Sequence, residues 1–141
     1  MLNDGLKLTG KLKIALNGET VQEVDNLVVT DGKEYVASRM KDATKTAMSH
    51  MAIGSGSTAA AAGNSALGSE LGRVALTSTN VASNVVTYAA TFAAGTGTGA
   101  VTEAGILNAN TSGELLCRTV FSVVNKGSSD SMTITWTVTV S

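Results

Sequence analysis

Met132-Thr133-Ile134-Thr135-Trp136-Thr137-Val138-Thr139-Val140 is the stretch on which the reading of this chain turns. Apolar side chains and threonines alternate through it without a break. A period of two is that of a strand, so Met132, Ile134, Trp136, Val138 and Val140 share one face and the threonines the other. The only tryptophan of the chain lies here. A large aromatic contributes heavily to burial, so this strand belongs to the core. Ile134, Trp136 and Val138 head the expected core, joined by Phe92 and Phe121 from other strand-like runs.

Working outward, Leu115–Val124, Val101–Leu107, Val85–Phe92, Val74–Thr79 and Ala47–Ile53 each read as strands. Their connections are rich in Gly, Asn, Ser and Asp, the residues of turns. Leu6–Leu16 alternates again, with leucines and Ile14 opposite Lys7, Thr9, Lys11 and Lys13. Asn17-Gly18 then predicts a two-residue hairpin turn into a return strand over Val21–Thr30. Asp31-Gly32-Lys33-Glu34 carries a helix-start pattern, with Asp31 as N-cap and Glu34 three residues on. That helix is expected to reach about Lys41, with Tyr35, Val36 and Met40 on its apolar face. Ala66–Gly72 is expected to form a short helical turn carrying Leu67 and Leu71.

These elements predict an all-β fold with one short helix, an antiparallel β-sandwich or jelly roll of about eight strands. Residues 1–141 read as a single domain. Residues 1–45 supply a charged hairpin and the helix, and residues 46–141 a low-charge sandwich. There is no proline, so edge strands lack a common blocking residue and are open to pairing between chains.

Charged residues make up 15% of the chain, against roughly 25% in ordinary globular proteins. They are unevenly spread. Residues 1–50 hold seven Lys/Arg and seven Asp/Glu, whereas residues 51–141 hold only Arg73, Arg118, Lys126, Glu70, Glu103, Glu114 and Asp130. A surface of Thr, Ser and Ala costs little to desolvate, which points to assembly with neighbours. The net charge of −1 gives no reason to expect nucleic acid or an anionic membrane as partner. No run of about 18–20 apolar residues exists to span a bilayer. The start, Met1-Leu2-Asn3-Asp4-Gly5, lacks the basic and apolar regions of an export signal, so the product, made in the cytoplasm, is expected to stay in the compartment where it is made or to leave by lysis.

The residues of common chemistries are missing or out of place. Gly54-Ser55-Gly56-Ser57-Thr58-Ala59 has some of the spacing of a dinucleotide fingerprint, but it leads into polyalanine instead of a βαβ helix. Gly95-Thr96-Gly97-Thr98-Gly99 has no lysine and no following helix, so it is not a phosphate loop. His50 and Cys117 are each alone, short of the four ligands of a zinc site. No Gly-x-Ser-x-Gly elbow accompanies His50. Cys117 reads as a small buried apolar side chain. No catalytic residue, metal or cofactor is therefore expected. Arg73, Glu103 and Arg118 do stand out, each interrupting an uncharged strand. A buried lone charge is costly, so Glu103 is expected to be held by Arg73 or Arg118, within a subunit or across an interface, with solvated, outward-facing charges as the alternative.

Several stretches together carry a family resemblance. They are Ala52-Ile53-Gly54-Ser55-Gly56-Ser57-Thr58, Ser65-Ala66-Leu67-Gly68-Ser69-Glu70-Leu71-Gly72-Arg73, Asn84-Val85-Val86-Thr87-Tyr88-Ala89-Ala90-Thr91-Phe92 and Thr102-Glu103-Ala104-Gly105-Ile106-Leu107. Leu116-Cys117-Arg118-Thr119-Val120-Phe121 and Asp130-Ser131-Met132-Thr133-Ile134-Thr135-Trp136 complete the set. Over roughly residues 48–140 the chain resembles small β-rich virion proteins of tailed bacteriophages, of the capsid-decoration (cement) or tail-fibre-like kind. The resemblance implies a non-enzymatic virion protein, a symmetric homo-oligomer with a trimer favoured, bound to the major capsid protein or to tail subunits. Capsid decoration is the leading expectation, and a tail-fibre or baseplate component the alternative. From a different class, a carbohydrate- or receptor-binding module is the further alternative. The expected contact elements are Met1 and Leu2 in the N-terminal arm, Gly54, Gly56 and Thr58 in the Gly54–Ser65 loop, and Gly95 and Gly97 in the glycine tip.

Overall fold

Asn17 and Gly18 both have positive φ, 50° and 83°, the backbone of a tight turn whose twist matches that of its strands. They join β1 (Leu8–Leu16) to β2 (Glu19–Val28). The remaining elements are α1 (Thr30–Lys41), β3 (His50–Gly54), β4 (Glu70–Ala75), β5 (Ser78–Ala82), β6 (Val85–Phe92), β7 (Gly99–Leu107), β8 (Leu115–Lys126) and β9 (Met132–Val140). The structure, a computed structural model, describes residues 5–141. The nine strands form one antiparallel sheet in the order β4-β3-β7-β8-β2-β1-β9-β6-β5. The described residues are thus all-β with one short helix.

Two places show how that sheet curls. β2 pairs with β1 as far as Asn26, and then Leu27 and Val28 pair with Arg118 and Cys117 of β8. At the far ends of the sheet, β4 and β5 are separated only by Leu76 and Thr77. Leu76 N–H donates to the Ser49 carbonyl at 2.9 Å, beside β3, while Thr77 N–H donates to Ala89 of β6 at 2.7 Å. The first and last strands of the order are therefore linked by two residues, and the sheet wraps around its own core. Strands that pass from one half of a sheet to the other make the corners of such folds. The expectation of a sandwich or jelly roll is met only at the level of class: the hydrogen-bond order is one curled sheet. The strand expected over Val74–Thr79 is divided at this crossing, which raises the count to nine.

The core sits inside the curl. Leu12, Ile14, Phe92, Ile134 and Trp136 meet Met51, Ile53, Ile106 and Cys117, and all are fully buried. Val138 and Phe121 are buried with them. The threonine face of β9 is half-buried on the outside, with Thr133 Oγ1 bonded to Thr91 Oγ1 at 3.0 Å. Trp136 Nε1 donates to Asn26 Oδ1 at 2.7 Å. Gly10 makes room for that bond, since a Cβ there would strike Asn26 Oδ1.

α1 starts one residue earlier than Asp31. Its N-cap is Val29, which has no capping side chain. The capping role passes to tertiary contacts: Val29 N–H donates to the Leu116 carbonyl at 3.2 Å and Thr30 N–H to Ala62 at 2.8 Å. Asp31 lies in the first turn, and Arg39 and Lys41 in the last, each on the side favoured by the helix dipole. Gly32 is buried, and a Cβ there would collide with the Leu116 carbonyl. The helix lies against β8 at this point.

Candidate functional site: a buried ion pair that shapes the Ser55–Ser69 loop

The twelve small residues from Gly54, the last of β3, to Ser65 read as low-complexity sequence. Their local propensity favours no regular structure. What organises them lies on β7 and β8. Glu103 is fully buried and Arg118 is 2% exposed, and these two side chains are neighbours across the β7–β8 ladder. Arg118 Nε donates to Glu103 Oε1 at 3.0 Å, and Nη2 lies at 3.0 Å from the same oxygen.

Glu103 accepts three further bonds, all from backbone N–H groups. Gly68 donates to Oε1, and Gly56 and Ser69 to Oε2, each at 2.7 Å. Arg118 completes its own set on the same loop, with Nη1 on Asn64 Oδ1 and Nη2 on the Thr58 carbonyl, both 3.0 Å. Thr102 Oγ1 adds a 2.8 Å bond to the Gly56 carbonyl. Residues 56, 58, 64, 68 and 69 are thereby tied to one ion pair. Burial pushes the Glu103 carboxyl up. The N–H groups of Ser69 and Gly68, the Arg118 side chain and the Gly56 N–H more than offset this and hold it below the usual carboxylate range.

The glycines follow from this packing. A Cβ on Gly54 would come within 2.6 Å of Glu103 Oε2, and one on Gly56 within 2.7 Å of its Cδ. The helical turn expected over Ala66–Gly72 does not form. Gly68 and Ser69 send their N–H groups to Glu103 instead of to helical carbonyls, and β4 begins at Glu70.

Arg73 goes elsewhere. It forms a two-pronged pair with Glu70 at 2.7 and 3.1 Å. Its Nη1 donates to the carbonyls of Ala109 and Ser112, both at 2.9 Å. Arg73 therefore fastens the β7–β8 connection to β4. Of the two partners foreseen for Glu103, the structure supplies Arg118.

The expected contact residues divide. Met1 and Leu2 lie outside the described residues. Gly54 and Gly97 are buried and offer no surface, which corrects their assignment as contacts. Gly97 has φ 67°, and a Cβ on it would stand 2.5 Å from Ile53 Cδ1. Its close approach is to the core of its own chain. Gly56 is half-buried and committed to Glu103. Thr58 and Gly95 are exposed. Reasoning from sequence missed Asn64 and the backbone donors at 68 and 69. The glycines at 56 and 68 were the available signal that a side chain comes close.

His50 bonds through Nδ1 to its neighbour Ser49 Oγ at 2.7 Å. Burial raises the Cys117 thiol well above its usual range, which keeps it a protonated core side chain. Among the described residues no three His, Cys, Asp or Glu are grouped to hold a metal ion. No helix among them is long and apolar enough to cross a membrane. Comparison with known protein families, with curated proteins and with solved structures finds no match.

Proposed function

We propose that this chain is a structural protein of a tailed-bacteriophage virion, one that decorates the head and cements adjacent shell subunits. It acts by binding, without turnover, as a symmetric homo-oligomer with a trimer favoured. The observation that carries the reading is the uncharged surface loop fixed by Glu103 and Arg118. A segment ordered before it meets its partner loses little conformational entropy on docking. Its Ser, Thr and Ala side chains cost little to desolvate. β5 adds a second uncharged surface, exposed at all five residues at one end of the sheet. A permanent attachment needs about 1,000 Å² or more of buried area per contact, within reach of the two surfaces repeated by symmetry.

The test is the number of copies per particle, by quantitative mass spectrometry of purified virions against their major capsid protein. A cement protein is present on the order of hundreds of copies, as shell symmetry requires. Shells stripped of it melt at lower temperature and recover when it is added back. A handful of copies would assign it to the tail, and absence from the particle would end the virion reading.

A further inference from the structure

Helix α1 packs on the sheet and its core through Gly32 and Tyr35 and is exposed toward its end. Gly32 sits against the Leu116 carbonyl, whereas Tyr35 and Val36 are half-buried and Met40 is 78% exposed. Between this helix, the start of β1 and the end of β9 runs an open groove. Its inner part holds about 280 Å³ and its outer part about 450 Å³. Leu8, Val36 and Met40 line both, and Val138 and Val140 floor the inner part.

The walls carry Lys7, Lys33 and Arg39, and no carboxylate. The nearby helix acid Glu34 is paired with Lys45, and Asp42 with Lys41. None of the three wall cations is ion-paired among the described residues, and Arg39 has only a long 3.4 Å bond to the Lys45 carbonyl. Tyr88 lines the inner part while only 8% exposed. Its phenol has no hydrogen-bond partner among the described residues. The Tyr88 phenol oxygen is not sealed from solvent, so this donor is reachable from the groove, and apolar walls beside unpaired cations specify what is absent: apolar side chains next to a carboxylate.

We propose that this groove docks an extended segment of another protein chain, apolar residues followed by an Asp or Glu. The apolar side chains cover Leu8, Val36 and Val138. The carboxylate accepts from the Tyr88 phenol and the Arg39 guanidinium, the charge-assisted geometry arginine favours. The groove is open, and its rim is apolar, with Leu6 69% and Met40 78% exposed. Small ligands are mostly enclosed by their sites, whereas a protein segment brings neighbouring surface that covers such a rim. The occupant is defined by this chemistry alone, so the inference stands or falls separately from the virion reading.

The probes are the acetylated, amidated tetrapeptide Leu-Val-Leu-Asp, its Leu-Val-Leu-Asn counterpart, and dodecanoate, titrated into the full chain and followed by amide NMR shifts. The Asp peptide shifts Val36, Met40 and Val138 saturably and binds about fivefold or more tighter than the Asn peptide, the scale of a charged hydrogen bond. Arg39→Met on the surface and Tyr88→Phe in the groove each remove that preference, with shifts elsewhere unchanged. Absence of saturable shifts in the groove, or equal binding of the two peptides, overturns the proposal. Tighter occupation by dodecanoate overturns it in favour of a small amphiphile. Self-association of the unliganded chain that Val36→Lys abolishes overturns it in favour of a second copy.

Discussion

The loop Ser55–Ser69 and the strand β5, Ser78–Ala82, are made from nearly the same residues: Ser, Thr, Ala, Asn and a few apolar side chains, with no charge in either. One is fixed and the other bare. The loop is held from beneath by Glu103 and Arg118 through six hydrogen bonds to residues 56, 58, 64, 68 and 69, counting the Thr102 bond to Gly56. β5 pairs with β6 alone, and each of its side chains is exposed. The difference is in what lies underneath, not in propensity. A single buried ion pair orders a segment that composition alone would leave irregular.

The comparison breaks most completely at Arg118. Arg118→Met leaves Glu103 as a buried charge without its counterion, at a cost of about 3–5 kcal/mol. Denaturant unfolding should show that loss, and limited proteolysis should cut within Ser55–Ser69 while β5 is cut no faster than before. Equal acceleration at both segments would show that the pair holds the whole fold and not the loop.

Glu103→Gln is the companion test, with a loss of about 3 kcal/mol and an added signature in pH. The native carboxyl titrates below its unfolded value, so its contribution is complete above the ordinary glutamate pKa of about 4.3. It is lost as pH falls from there through the folded value. Thermal melts from pH 7 down to pH 3 should therefore fall more steeply for the native chain than for Glu103→Gln. Parallel curves would contradict the assignment.

Gly56→Ala sharpens the comparison from the loop side. The added methyl meets the Glu103 carboxylate, and overpacking of this kind costs about 1–3 kcal/mol. Gly63→Ala in the same loop meets nothing within 4 Å and should change the melting temperature little. At the small end, Val81→Lys on β5 should alter stability by less than about 0.5 kcal/mol, since Val81 is 72% exposed. Hydrogen exchange should find the β5 amides among the fastest in the sheet.

Much of this was legible beforehand. The alternation in Met132–Val140 and Leu6–Leu16 gave two strands, though not their pairing, because period-two burial is a local property. Asn17-Gly18 gave the turn between β1 and β2 for the same reason. The scarcity of charge after residue 50 made Arg73, Glu103 and Arg118 conspicuous, and two of them do form a buried pair. The rest depended on distance along the chain. Glu103 lies 47 residues from Gly56, so no local pattern announces that the loop has an anchor. The helix turn expected near Leu67 failed because its N–H groups had a better acceptor elsewhere. The break between β4 and β5 records a change of neighbours at Leu76 and Thr77, which only the closed sheet defines. The groove beside α1 was invisible because Tyr88 and Arg39 come to line one groove only in the folded chain.

β9 is an interior strand of the sheet, paired with β1 along one side and β6 along the other. A chain without Met132–Val140 would leave β1 and β6 on either side of a vacant slot and the interior without Trp136. Closure of the curled sheet depends on that strand's insertion, and pairing between strands so far apart in sequence is slow to form. A nascent chain halted at Ser131 would present an open slot, and the same nine residues offered as a separate peptide should restore its fold by strand addition.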